Sequence, residues 1–195
     1  DMVISVPDSS NTIALGYANQ SGIPFELGLI RNHYVGRTFI QPEQTTRDWD
    51  IKIKFNPVKG VLKNKRVVVV DDSIVRGSTM KKLVSMLRSA GASEIHLRIG
   101  SPLITHSCYF GIDTPTRSEL IASRYSLDQI KEFLGVESLA YISLQGLRSC
   151  VKNKEDYCVA CFSGDYPISG DAVERGERGC GGCGGGIRPD SGVGK

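Results

Sequence analysis

An α/β fold is what this sequence predicts: an open, mainly parallel sheet flanked by helices, with a disordered glycine-rich tail. Three observations carry that reading. "RVVVV" at residues 66–70 is apolar throughout after its arginine, as a parallel strand covered on both faces would be. Segments of strand character alternate with segments of helical period, which argues for βαβ units with right-handed crossovers. The loop after "RVVVV" carries two aspartates and a glycine and runs straight into a helix, the place where open parallel sheets bind ligands.

Taken in order, "MVISV" reads as a short buried strand followed by the turn "PDSS". In "NTIALGYANQSG", Ile13, Leu15, Tyr17 and Ala18 can line a helix with Asn11 as N-cap and Gly22 as its stop. "IPFELGLI" is a second strand, and "RNHYVGRTFI" follows as a basic, glycine-containing segment. The next stretch is polar and irregular except for "IKIKF", which alternates at strand period. Beyond the loop, Met80, Leu83, Val84, Leu87 and Ala90 recur at helical spacing and Gly91 closes that helix. "EIHLRIGSP" is a fourth strand, "LDQIKEFLG" a compact helix and "SLAYISL" another strand. From Ser163 the pattern dissolves, so residues 1–167 form the expected domain and residues 168–195 a disordered tail.

A chain of 195 residues has room for one well-buried domain and a tail. Its net charge of +3 is too small for a strongly basic surface, and no apolar run reaches the roughly 18 to 20 residues that span a bilayer. Neither nucleic acid nor membrane is therefore an expected partner. The start, "DMVISVPDSS", shows no signal or transit segment and opens directly on a strand, which reads as a chain cut from something longer. Cys108, Cys150, Cys158, Cys161, Cys180 and Cys183 all lie in the C-terminal half. A disulfide scaffold would spread them, so a reducing, intracellular compartment is expected, with some thiols held by a metal.

The stretch "VVVVDDSIVRGST" from Val67 to Thr79 joins features that want opposite charges. Gly77 lets backbone amides approach an oxyanion, Ser78 and Thr79 add hydroxyls, and the helix carrying Lys81 and Lys82 adds the positive end of its dipole. Asp71 and Asp72 suit ribose hydroxyls or the waters of a magnesium ion. A phosphorylated sugar satisfies both halves. The G-x-x-x-x-G-K pattern of a Walker loop is absent. The plain alternative is an acidic turn ahead of a surface helix.

The same thirteen residues resemble the phosphoribosyl pyrophosphate (PRPP) motif of type I phosphoribosyltransferases. Together with "VPDSS", "GLIRNHYVGRTFIQP", "KIKFNP", "CYFGIDTPT", "ELIA" and "CVACFSGDYP", they make the chain similar to amidophosphoribosyltransferases. Those are the glutamine-dependent first enzymes of purine synthesis, and the resemblance runs from about Met2 to Pro167.

The resemblance implies the type I phosphoribosyltransferase fold and displacement of pyrophosphate from PRPP by ammonia, forming 5-phosphoribosylamine. Asp71, Asp72 and Arg37 would be the catalytic residues. PRPP would be held by Tyr34, Arg37, Thr38, Asp71, Asp72, Ser73, Ile74, Val75, Arg76, Gly77, Ser78 and Thr79, and Mg2+ by Ser9, Asp71 and Asp72. "RNHYVGRTF" would be a lid whose Arg31 and Arg37 meet the charge of the departing pyrophosphate while water is excluded. Neutral ammonia needs no nucleophilic side chain, and His33, His96 and His106 offer no triad. Departures from the family pattern are Met80 where a small hydroxyl residue is common, Ser10 for a frequent glycine, and Arg31 and His33 in the lid.

Cys108, Cys158 and Cys161 match three ligands of the [4Fe–4S] cluster that many family members hold; the fourth would lie before the first residue of this chain. A zinc site on Cys158 and Cys161, or unliganded thiols, remain open readings. Cys150 stands apart, and Cys180 and Cys183 sit in a tail foreign to the family. The glutaminase domain of the parent is absent, so this chain would use ammonia and not glutamine. A homo-oligomer in cytoplasm or plastid stroma is implied by the family alone. A PRPP-binding regulator without catalysis would share the fold, but no winged-helix segment or basic stripe accompanies it. A metal-binding module built on the cysteines would leave everything before Cys108 unexplained.

Overall fold

The computed structural model describes residues 1–33 and 54–168. Its strands are β1 (Met2–Ser5), β2 (Leu29–Arg31), β3 (Phe55–Pro57), β4 (Arg66–Asp71), β5 (Glu94–Ile99) and β6 (Ser138–Tyr141). Four of them form a parallel sheet in the order β1-β4-β5-β6. β2 and β3 pair antiparallel, Leu29 opposite Pro57. A parallel bridge from Val3 to Phe25 holds the chain leading into β2 along the free edge of β1. Val3 N–H donates to Pro24 O at 2.8 Å and Glu26 N–H donates to Val3 O at 2.9 Å.

The run of valines in β4 does what its composition implies. Successive side chains alternate, so Val67 and Val69 enter one core with Met2, Ile4, Ile95 and Leu97. Val68 and Val70 turn to the opposite face and pack with Val3, Ala14 and Ala18. That second face is covered by α1 (Asn11–Ser21), which presents alanines to the sheet and so approaches closely. The larger core lies beneath α2 (Lys59–Leu62) and α3 (Ser78–Ser89), where Leu62, Met80, Leu83, Val84 and Leu87 are buried. α4 (Ile121–Arg124) and α5 (Leu127–Leu134) extend it through Ile121, Ile130 and Leu134. α6 (Leu144–Ser149) and α7 (Ala160–Ser163) follow β6.

Several expectations shift locally. Ser10, not Asn11, is the N-cap residue of α1. Asn11 is already helical, its Oδ1 accepting from Ser5 Oγ at 2.6 Å, while Ser10 Oγ donates to Val6 O. Gly22 ends the helix as expected, at φ 71° with its N–H donated to Ala18 O. The second strand is shorter than "IPFELGLI", because the chain turns between Phe25 and Leu29, where Gly28 N–H donates to Glu26 O at 3.0 Å. A Cβ on Gly28 would lie 2.7 Å from Ile4 Cγ2, so the turn depends on that close approach. Of the expected "IKIKF" strand, Phe55 lies in β3, and residues 51–53 lie outside the described residues. Of the disordered tail expected over residues 168–195, residues 169–195 also lie outside the described residues.

Candidate ligand site at the carboxyl edge of the sheet

β4 delivers Asp71 to the carboxyl edge, and both neighbours hold it there. On one side Val6 N–H donates to Val70 O at 2.9 Å; on the other Gly100 N–H donates to Asp71 O at 2.9 Å. The turn carrying Ser9 therefore adjoins the end of β4, and the two segments share one edge of the sheet. Beyond Asp71 the chain folds back on its own carboxylates. Asp72 N–H donates to Asp71 Oδ1 at 2.9 Å, and Ser73 Oγ donates to Asp72 Oδ1 at 2.9 Å. Ile74 drops into the core and pins the loop. Gly77 then takes φ 79°, a left-handed conformation open to glycine, and α3 starts at the next residue.

A cavity of about 560 Å³ opens here, lined by every residue from Asp71 to Met80 and by Glu119. One end of it is acidic. Burial, and then the charge of Asp72, push the Asp71 carboxyl up to about 7, against the opposing hydrogen bond from the Asp72 amide. The other end is formed by the Gly77 turn, the exposed Ser78 and Thr79, and the first amides of α3, an arrangement that attracts oxyanions. Lys81 Nζ sits 4.1 Å from the centroid of the Phe133 ring. A ligand with a phosphate at one end and hydroxyls or a hydrated cation at the other matches this polarity.

Sequence reasoning missed Glu119. It enters the cavity from a single 3-10 turn, Arg117–Glu119, ahead of α4. Its Oε1 accepts from Arg76 Nε at 3.1 Å. Its Oε2 accepts from the Thr116 amide at 3.3 Å and from Thr116 Oγ1 at 3.0 Å. Hydrogen bonds from Thr116, then from Arg76, hold this carboxyl below its ordinary range. The signal was present as the T-x-x-E spacing of a capping box in "TRSE".

The residues expected in the loop, Asp71 to Thr79, thus come together around one cavity. Ser9 lies exposed on the neighbouring turn, outside the cavity lining. Tyr34, Arg37 and Thr38 fall outside the described residues. At the root of the expected lid, Arg31 Nη1 donates to Asp8 Oδ2 at 3.1 Å, with His33 Nε2 3.9 Å from Asp8 Oδ1.

The cysteines form a second locality. Cys161 O accepts from the amides of Thr105 at 3.0 Å and His106 at 3.1 Å, which lays the segment containing Cys108 beside that containing Cys158 and Cys161. Burial first, then Cys108 and Cys158, push the Cys161 thiol up. Cysteine sulfur is the donor type that iron–sulfur clusters use, and such a cluster needs four of them. Among the described residues no group of three or more His, Cys, Asp or Glu is closed up as a metal site. Cys150 stands apart and exposed, its thiol directed at Gly146 O at 3.4 Å.

A family model of the phosphoribosyl transferase domain matches residues 1–99, from β1 through the aspartates, the Gly77 turn and α3 to β5. This chain belongs to the phosphoribosyltransferase family. The chain is 56% identical over 175 residues to amidophosphoribosyltransferase 1, chloroplastic, of Arabidopsis thaliana, covering 89% of this chain and 31% of that protein. A solved structure described as the allosteric regulatory enzyme of purine biosynthesis superposes with a TM-score of 0.75 at 52% identity, over 86% of this chain and 37% of that one. Another, the glutamine PRPP amidotransferase of B. subtilis complexed with ADP and GMP, gives a TM-score of 0.74 at 51% identity, over 86% and 38%. The expected type I phosphoribosyltransferase fold is therefore the one present. The chain spans about a third of the length of the curated relatives it matches.

Proposed function

We propose that the chain is the phosphoribosyltransferase part of an amidophosphoribosyltransferase, forming 5-phosphoribosylamine from PRPP and ammonia with release of pyrophosphate. The single observation that carries this is the cavity lined without a break by Asp71 to Met80, acidic at one end and anion-binding at the other. Amides and hydroxyls from Ser73 to Thr79 receive the 5′-phosphate. Asp71 and Asp72 take the ribose hydroxyls and, with Ser9, hold Mg2+. Bound there, the ion would supply positive charge opposite the departing pyrophosphate. Arg37, Tyr34 and Thr38 complete the PRPP contacts from the lid. Ammonia attacks C1 as the bond to pyrophosphate breaks, and its lone pair needs no base for the attack. The C1-bound ammonium then gives one proton to solvent, so the chain's contribution is positioning and charge.

Cys108, Cys158 and Cys161 supply three thiolates to a structural [4Fe–4S] cluster, the fourth coming from another part of the parent protein. Glutamine is hydrolysed by a glutaminase domain in that remainder, which passes ammonia to this site, and the assembled enzyme is a homo-oligomer. The chloroplastic and bacterial relatives support a stromal or cytoplasmic setting. No helix among the described residues is long and apolar enough to cross a membrane.

The test is magnesium- and ammonia-dependent release of pyrophosphate from PRPP by this chain and by Asp72→Asn. The expected result is turnover with ammonia, none with glutamine, and a loss of roughly a hundredfold or more in the variant, the scale set by removing one preorganised electrostatic contact. PRPP binding absent from the parent chain would sink the reading.

A further inference from the structure

Three consecutive residues of the phosphate loop are each held by one short segment that lies far from them in sequence. Ile121 N–H donates to Val75 O at 2.9 Å. Glu119 takes the guanidinium of Arg76, with Arg76 Nε and Nη2 each 3.1 Å from its Oε1. A Cβ built on Gly77 would lie 2.7 Å from Ile121 Cδ1, so that side chain is seated against the bare glycine. The segment is itself fixed behind these contacts by the Thr116 hydrogen bonds to the second oxygen of Glu119. Further back, Ser107 Oγ donates to Pro115 O at 2.7 Å and the Cys108 amide donates to Thr114 Oγ1 at 2.6 Å.

The arrangement is unexpected on charge alone. A carboxylate in the wall of an anion site repels the ligand and occupies the arginine that would attract it. It is useful only if the geometry it imposes outweighs that repulsion. We propose that Glu119 is a positioning residue of the phosphate loop, and that Arg76 serves as its anchor: the side chain of Arg76 belongs to Glu119, and the ligand phosphate is received by loop amides and hydroxyls. This rests on the phosphoribosyl reading of the cavity and deepens it, because Arg76 enters the site through its main chain and not its charge. The pair is about half exposed, at 54% for Arg76 and 47% for Glu119. Its loss therefore leaves the fold standing while freeing the loop.

The sign of one substitution separates the readings. Glu119→Gln removes a negative charge beside an anion site, so a bystander carboxylate predicts tighter phosphate binding. A positioning carboxylate predicts weaker binding, by roughly three- to fivefold, the scale of an exposed ion pair. Ribose 5-phosphate affinity is measured by calorimetry on the full chain for the parent, Glu119→Gln, Arg76→Gln and the double variant. The expected result is the same loss in either single variant and no further loss in the double. A far larger loss in Arg76→Gln than in Glu119→Gln would make Arg76 a direct phosphate ligand and overturn the proposal, as would tighter binding by Glu119→Gln.

Amide hydrogen exchange across residues 73–79 without ligand is the second readout, expected to accelerate about threefold or more in Glu119→Gln while the unfolding midpoint stays put. Unchanged exchange overturns the proposal whatever the affinity does. Failure of the parent chain to bind ribose 5-phosphate would instead fall on the phosphoribosyl reading, leaving the loop exchange to decide the role of Glu119.

Discussion

Asp71 sits where burial and a neighbouring carboxylate both oppose its charge, at the end of a strand that holds its main chain on two sides. Its carboxyl rises from an ordinary 3.8 to about 7, so between those values the folded chain keeps a proton that the unfolded chain releases. Stability from this group is full below the lower value and is lost as pH climbs through the upper one. Asp71→Asn, which never ionises, should match the parent near pH 4, gain on it steadily toward pH 7, and hold a constant advantage above. Denaturant midpoints across a pH series check this. The same protonation sets the ligand's side of the balance: a hydrated cation at Asp71 must displace a proton below about pH 7, so Mg2+ affinity should strengthen with pH and level off above that value. Isothermal titration of Mg2+ into the PRPP complex at several pH values reads it out.

At the scale of elements, the loop between β4 and α3 is held by what docks on it as well as by its own residues. Gly77 and Gly22 make a controlled pair, since both have positive φ, 79° and 71°, but only Gly77 has Ile121 against it. Alanine at Gly22 meets nothing within 4 Å, so Gly22→Ala should cost only the left-handed strain, about 1–2 kcal/mol. Gly77→Ala carries that strain and must also displace Ile121 Cδ1, 2.7 Å from the new methyl. It should cost about 1 kcal/mol more than Gly22→Ala and weaken ribose 5-phosphate binding, which Gly22→Ala should leave alone. Urea midpoints with calorimetry on both variants test the pair.

For the whole molecule, the segment from Ser107 to Ile121 runs from the cysteine locality to the loop between β4 and α3. The two localities are therefore mechanically continuous although their chemistries differ. If Cys108, Cys158 and Cys161 are cluster ligands, anaerobic reconstitution should load iron onto the full-length parent protein. Serine at Cys161 should abolish loading, and serine at the detached Cys150 should not change it. Iron and sulfide content with visible absorption decides the point. Equal iron in Cys161→Ser and parent would count against the cluster.

Much of this was readable in one dimension. The valines of β4 announce a strand covered on both faces, the 3.6-residue spacing from Met80 to Leu87 announces the helix beneath it, and the Asp71–Thr79 stretch announces the loop that lines the cavity. In each case the information is local, a period or a run that physical chemistry converts directly into an element. What the sequence could not show depends on which distant segments meet. Asn11 is not the cap because the helix already includes it, and its side chain accepts from Ser5 Oγ instead. The second strand is short because the chain turns ahead of Leu29, where the bare Gly28 packs against Ile4 and donates its N–H to Glu26 O. Glu119 joined the cavity because Ile121 docks on Gly77, a juxtaposition of residues more than forty positions apart. Composition and spacing determined the fold class and the run of residues, Asp71 to Met80, that lines the cavity. Only the tertiary structure decided that Arg76 is already claimed by a carboxylate, because no sequence spacing records which long-range ion pair closes when the chain packs.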